Sequence, residues 1–238
     1  MKVSIYIHSI RPDLWLPLYE SLIKNTVDIE LIVAGYPQPS FSLPDNLKFI
    51  ETFVKHPQAA QIARRACTGD YMLNMADDYI ILPNVFDKFV DVYEKSSNKK
   101  LIVSGIYAWG GGVPADEGRF VNADPDSIVM PNPGNFISRE LSDQVGGFDV
   151  NFYGTYFTED VTLRLYNLGC EIIRLKDIIF NEIVDYCTGE RLSYKCGDMD
   201  RNYLYSLWGI DGKNLTRAKP VEVYKDENIL TINQGRII

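Results

Sequence analysis

Between residues 3 and 107 the chain alternates short β-branched or aromatic runs with amphipathic stretches of helical period, and this order leaves few ways to fold. Val3-Ser4-Ile5-Tyr6-Ile7, Ile29 to Val33, Leu47 to Glu51, Tyr71 to Met75 and Leu101 to Tyr107 read as strands. Between them, Leu14, Leu18 and Leu22 recur every four residues with Trp15 beside them, and Pro12 suits a first turn. Pro57 to Cys67 is Ala-rich and stops at Thr68-Gly69. Phe86, Phe89, Val90 and Tyr93 mark a third helix after Pro83-Asn84. Strand and helix in alternation predict an α/β fold: a parallel sheet with right-handed crossovers and helices on its faces.

A strand covered on both faces brings polar groups out at its carboxyl end, where open α/β sheets bind their ligands. Asp77 and Asp78 stand there, after Tyr71 to Met75 and before a second apolar run closed by Leu82-Pro83-Asn84. Two adjacent carboxylates raise each other's proton affinity unless a cation or hydrogen-bond donors hold both charged. Aspartate oxygens are hard ligands suited to magnesium or manganese, and magnesium commonly takes one or two carboxylates plus substrate phosphates. An isolated Asp-Asp is more often a solvated turn, so the rest of the chain has to decide.

After Leu101 to Tyr107 the character changes. Trp109-Gly110-Gly111-Gly112 through Pro131-Asn132-Pro133-Gly134 is a long, acidic, Gly- and Pro-rich connection, of the kind that is functional or mobile. The triple glycine lacks the spacing of a dinucleotide fingerprint. Arg139 to Val145 is a short helix ended by Gly146-Gly147, and Thr158-Glu159-Asp160 opens another with Val161, Leu163, Leu165 and Leu168 on it. Acidic residues suit a helix start, which is the plain reading of Glu159 and Asp160. Glu171 to Leu175 is a further strand. Residues 181–238 are polar and Tyr-rich with a helix-like piece from Asp200 to Trp208, which predicts a tail wrapping the domain.

The formal net charge of -8 argues against nucleic-acid binding and against broad attachment to anionic lipid. No apolar run reaches the roughly 18 residues of a membrane span, and the expectation is a cytoplasmic protein without leader or transmembrane segment. Cys67, Cys170, Cys187 and Cys196 show no Cys-x-x-Cys spacing and read as free thiols.

Taken in order, the Val3-Ser4-Ile5 strand, the Ala/Arg helix closing at Gly69-Asp70-Tyr71, Asp77-Asp78 before Leu82-Pro83-Asn84, Gly146-Gly147-Phe148-Asp149, and Glu159-Asp160 with Leu163-Arg164-Leu165 and Gly169 form a recognisable series. The series resembles the family 2 glycosyltransferases of GT-A fold over residues 2 to 175. Asp200-Arg201-Asn202 to Leu207-Trp208-Gly209 is similar to a Trp-Gly-ended segment that follows the catalytic domain in some members.

The resemblance implies a GT-A-like, mostly parallel central sheet flanked by helices, with a catalytic domain over residues 1–180 and an extension over 181–238 packed on it. It implies inverting transfer of a sugar from a nucleotide diphosphate, UDP foremost, to the hydroxyl of a saccharide or other acceptor. Asp78 would hold Mn2+ or Mg2+ against the donor phosphates with Asp77 in support. Asp160 would be the general base with Glu159 beside it. Ser9 and Ile10 would contact the nucleoside, Arg64 or Arg65 would run near the nucleotide, and Asn135 would face the donor sugar.

Three departures leave the base and the metal open. Ala76 stands where the first Asp of Asp-x-Asp is usual, Ala34-Gly35-Tyr36 replaces Asp-Asp-Gly-Ser, and the histidines, His8 and His56, both precede the motif. Tyr36 could stack on a base and Trp109 on a sugar, or both could pack internally. His8 reads as a strand-end side chain beside the site. The competing readings are a catalytically silent GT-A module that binds nucleotide sugar or a protein partner and, behind it, a sugar-phosphate nucleotidyltransferase. The latter needs a Gly-rich phosphate loop after the first strand, and His8-Ser9-Ile10-Arg11-Pro12 contains no glycine.

Overall fold

The computed structural model describes residues 1–109, 113–114, 134–183 and 192–208. The chain runs β1 (Lys2–Ser9), a 3-10 turn (Pro12–Leu14), α1 (Trp15–Leu22), β2 (Asp28–Gly35), β3 (Leu47–Glu51), α2 (His56–Ala66), β4 (Tyr71–Asn74) and β5 (Tyr79–Ile81). It continues with α3 (Val85–Lys95), β6 (Leu101–Trp109), β7 (Val113–Pro114), β8 (Ile137–Ser138), α4 (Arg139–Val145), α5 (Phe157–Asn167), β9 (Glu171–Glu182) and α6 (Leu192–Trp208). The main sheet has the order β3-β2-β1-β4-β8, its first four strands parallel and β8 antiparallel. A second sheet, β5-β9-β6-β7, joins it through a bridge between Val103 and Phe136.

The period of two along β1 sorts the core into halves. Val3, Ile5 and Ile7 pack with Trp15, Leu18 and Leu22 of α1 and with Phe86 and Phe89 of α3. Tyr6 faces the other way and joins Ile32, Met72 and the Ala59, Ala60 and Ala63 stripe of α2, with Val145, Val161 and Trp208 from α4, α5 and α6. Small alanines let α2 lie close to the sheet. Helices on both faces leave β1, β2 and β4 almost continuously buried, as the alternation predicts, while β3 is a half-exposed edge strand.

A buried carboxylate closes the amino edge. Glu30 accepts from Ser4 Oγ (2.6 Å) and Thr68 Oγ1 (2.9 Å) and pairs with Lys2 Nζ at 2.8 Å. Burial alone would raise its pKa, but these donors outweigh that and hold it at about 2.

Three elements differ from the sequence reading. The apolar run after Asp78 is a strand, β5, antiparallel to β9. Glu171 to Leu175 continues to Glu182 because the pairing with β6 shifts register between Ser104 and Ile106, which absorbs the polar Lys176-Asp177 step. The helix around Asp200 to Trp208 begins at Leu192 and packs on the same domain through Leu204 and Trp208. Cys67 and Cys170 are free thiols and, like Cys196, are buried. Residues 110–112, 115–133, 184–191 and 209–238, with most of the Gly/Pro-rich loop, Cys187 and the end of the tail, lie outside the described residues. Among the described residues no helix is long and apolar enough to cross a membrane.

Candidate active site

The carboxyl edge of the main sheet gathers Ser9 and the following Arg11 from β1, Gly35 from β2, and Asp77 and Asp78 after β4. Both carboxylates are buried. Ser9 Oγ donates to Asp77 Oδ2 at 2.5 Å and itself accepts from Trp15 Nε1 (2.6 Å) and the Arg11 amide (3.0 Å). The Arg11 guanidinium spans the pair: Nε donates to Asp77 Oδ2 at 3.1 Å, while Nη2 donates to Asp77 Oδ1 and, at 2.8 Å, to Asp78 Oδ2. Burial raises the Asp77 pKa, an increase that Arg11 and Ser9 only partly offset and to which Asp78 adds. An arginine that the sequence reading passed over therefore supplies positive charge to both carboxylates. Its signal was position, two residues past Ser9 at the end of the first strand.

Aromatic rings carry the edge across to α5. His8 lies against His56 with centroids 4.4 Å apart, and His56 meets Phe157 edge-on at 4.9 Å. Glu159 and Asp160 follow in the first turn of that helix. Tyr156, before them, holds φ 60°, a left-handed conformation uncommon for a side chain of its size.

The two acids differ sharply. Asp160 is 1% exposed. Its Oδ2 accepts from Arg164 Nε (3.1 Å) and Nη2 (2.7 Å), and its Oδ1 from Trp208 Nε1 (2.9 Å). Arg164 also caps the carbonyls of Val145 and Gly147, so Asp160 sits in a network tying α4, α5 and α6 together. Glu159 is half-buried and accepts from Thr158 Oγ1 at 2.8 Å. Burial pushes the Glu159 pKa up, and Asp160 beside it adds to the rise.

The other expected contacts divide. Ile10 is 51% exposed at the edge, whereas Ser9 is consumed in holding Asp77. Arg64 turns away: it is buried, donates to Ser142 Oγ (2.8 Å) and the Ser142 carbonyl (2.6 Å), and pairs with Asp143. Its place on an Ala-rich helix facing α4 makes it a strut between α2 and α4. Asn135 is held by Thr162 of α5 at 3.0 Å. Tyr36 packs on Phe53 with centroids 5.1 Å apart. The Trp109 side chain lies outside the described residues. Gly146 to Asp149 proves to be scaffold as well, with Gln61 bonding the Gly146 carbonyl and the Phe148 amide, and Tyr203 donating to Asp149.

No family model and no curated protein matches this sequence. Solved structures do match it. S. aureus TarS aligns at TM-score 0.61 and 13% identity over 91% of this chain and 41% of that chain. Residues 1–349 of S. aureus TarS in complex with UDP-GlcNAc align at TM-score 0.62 and 13% identity over 91% of this chain and 69% of that one. The same TarS piece in complex with UDP aligns at 0.58 and 13%, over 89% and 73%. The fold is GT-A-like. This chain spans less than half the length of the first of these structures.

In that frame the histidine pair supplies a pH dependence. Burial lowers both pKa values, that of His56 from 6.5 to about 4 and that of His8 well below 6.5, helped by their mutual repulsion at His8. Folding with neutral imidazoles contributes stability that is complete above pH 6.5 and is lost as pH falls towards 4. The expected result is that His56→Gln, compared with the parent by calorimetry, gains relative thermal stability between pH 7 and pH 5. A difference in Tm that does not change with pH would contradict it.

Proposed function

We propose that this chain is a glycosyltransferase that moves a sugar from a nucleotide diphosphate, UDP foremost, to an acceptor hydroxyl with inversion. The observation that carries the reading is the buried Asp77-Asp78 pair at the carboxyl edge of a GT-A-like sheet, with a second acidic pair in the first turn of α5, whose Phe157 packs on His56 and through it on His8 at the end of β1. The neighbouring TarS structures contain UDP and UDP-GlcNAc, which supports a uridine donor.

Departure of a diphosphate develops negative charge that the site has to stabilise. Asp77 and Asp78 offer hard oxygens of the type that bind Mg2+ or Mn2+ together with phosphates, and such an ion would supply Lewis-acid stabilisation of the leaving group. Ser9 and Trp15 keep Asp77 oriented for either partner. On the acceptor side a carboxylate takes the hydroxyl proton as attack proceeds from the face opposite the diphosphate, which inverts the anomeric centre. Burial raises the proton affinity of both acids, but Glu159 has the access, while both Asp160 oxygens are already engaged.

A nucleotide-binding module without transfer is the second reading, favoured by the engagement of Asp160. Thermal shift with UDP, GDP and CDP, each with Mn2+, followed by a diphosphate-release assay on UDP-sugars, separates the two. UDP-selective stabilisation with release supports the enzyme, and stabilisation without release supports the module. Absence of any shift with all three nucleotides would overturn both.

A further inference from the structure

Arg11 occupies the carboxylates that the sequence assigned to a divalent ion. Two buried, adjacent carboxylates without a counter-charge would be costly, and the Arg11 guanidinium supplies positive charge to both. Among the described residues no group of three or more His, Cys, Asp or Glu is arranged to hold an ion. An ion at Asp77-Asp78 would take the rest of its oxygen shell from donor phosphates and water, and the pair fits it provided Arg11 gives way.

Several features allow that exchange. The Arg11 side chain is 37% exposed, against 4% and 1% for the carboxylates it covers. It lies in the short link between β1 and the Pro12–Leu14 turn, outside any strand or helix. Asp77 keeps its Ser9 donor when Arg11 leaves. Among the described residues Arg11 Nη1 makes no hydrogen bond, so the guanidinium retains a face to offer another anion. Its fork geometry matches phosphate oxygens as well as carboxylates.

We propose that Arg11 is an exchangeable counter-ion: it balances Asp77-Asp78 in the ligand-free protein, competes there with a divalent cation, and transfers its guanidinium to the donor's diphosphate when cation and donor arrive together. The last clause rests on the nucleotide-sugar reading. A cation alone has to evict Arg11 into water. With a diphosphate present Arg11 gains a new partner, so cation and nucleotide strengthen each other's binding by one reciprocal factor.

Isothermal titration of Mn2+ without nucleotide, and of UDP at saturating Mn2+, on the parent and on Arg11→Gln tests this. In the parent, UDP should tighten Mn2+ binding. In Arg11→Gln, Mn2+ alone should bind about tenfold more tightly and UDP about tenfold more weakly, a loss within the usual range of coupling between sites. Arg11→Lys should lie between. Unchanged or weaker Mn2+ binding by a folded Arg11→Gln overturns the competition, even if UDP binds the parent well. Absence of UDP binding to the parent, together with tighter Mn2+ binding by the variant, removes the nucleotide reading and leaves the competition standing. Should the variant fail to fold, the parent alone decides: Mn2+ affinity that does not rise with UDP overturns the coupling.

Discussion

Glu159→Gln is expected to lower sugar transfer by about 10²–10⁴-fold while UDP binding stays near that of the parent, the loss that follows removal of a positioned base. Gln keeps the shape of the side chain and its bond from Thr158, so the change is confined to proton acceptance. The acid limb of the parent's transfer rate against pH should lie above the ordinary glutamate range, because burial raises the Glu159 pKa. Below that pKa the carboxyl is protonated and cannot accept the acceptor's proton. Asp160→Asn is expected to behave differently. It leaves the buried Arg164 cation without its carboxylate, a change that costs about 3–5 kcal/mol when one partner of a buried pair is removed. Tm should fall clearly, and transfer should fall with it. If Asp160→Asn keeps the parent's Tm, keeps UDP binding and loses transfer, the base is Asp160 and Glu159 is the supporting acid.

The strands and helices were legible because their apolar periods were unbroken. Val3, Ile5 and Ile7 against Leu14, Leu18 and Leu22 gave direction, length and face. The β9 extension was not legible, since Lys176-Asp177 interrupts the apolar pattern and only the register shift against β6 accommodates it. At the site, sequence order brought Ser9 and Asp77 to one edge but did not reveal which oxygens were already engaged. Arg64 and Arg11 illustrate the limit. Both are arginines at plausible places, yet one is drawn to Ser142 and Asp143 and the other to Asp77 and Asp78. One sequence signal could have been used: Asp160 and Arg164 stand four residues apart on a helix, the spacing of an intrahelical ion pair.

Gly35→Ala is expected to damage fold and site together. A Cβ at Gly35 would lie 1.8 Å from the Ser9 carbonyl oxygen and 2.8 Å from its carbon. Both are backbone atoms of the paired strand, so no rotamer relieves the overlap and the carboxyl ends of β1 and β2 have to separate. Forcing atoms into such a contact costs about 1–3 kcal/mol, occasionally more. The displacement falls on Ser9, whose hydroxyl links Trp15 to Asp77, so UDP affinity in the presence of Mn2+ should drop along with Tm. Gly69→Ala provides the comparison. Its Cβ would meet the Ser4 amide nitrogen and Oγ at 2.7 Å, at the opposite, amino edge beside Glu30. Gly69→Ala should lower Tm yet leave the UDP affinity of the folded fraction intact. If the two variants lose UDP affinity equally, the loss reflects general destabilisation, and the Ser9–Asp77 link has no particular part in binding the donor.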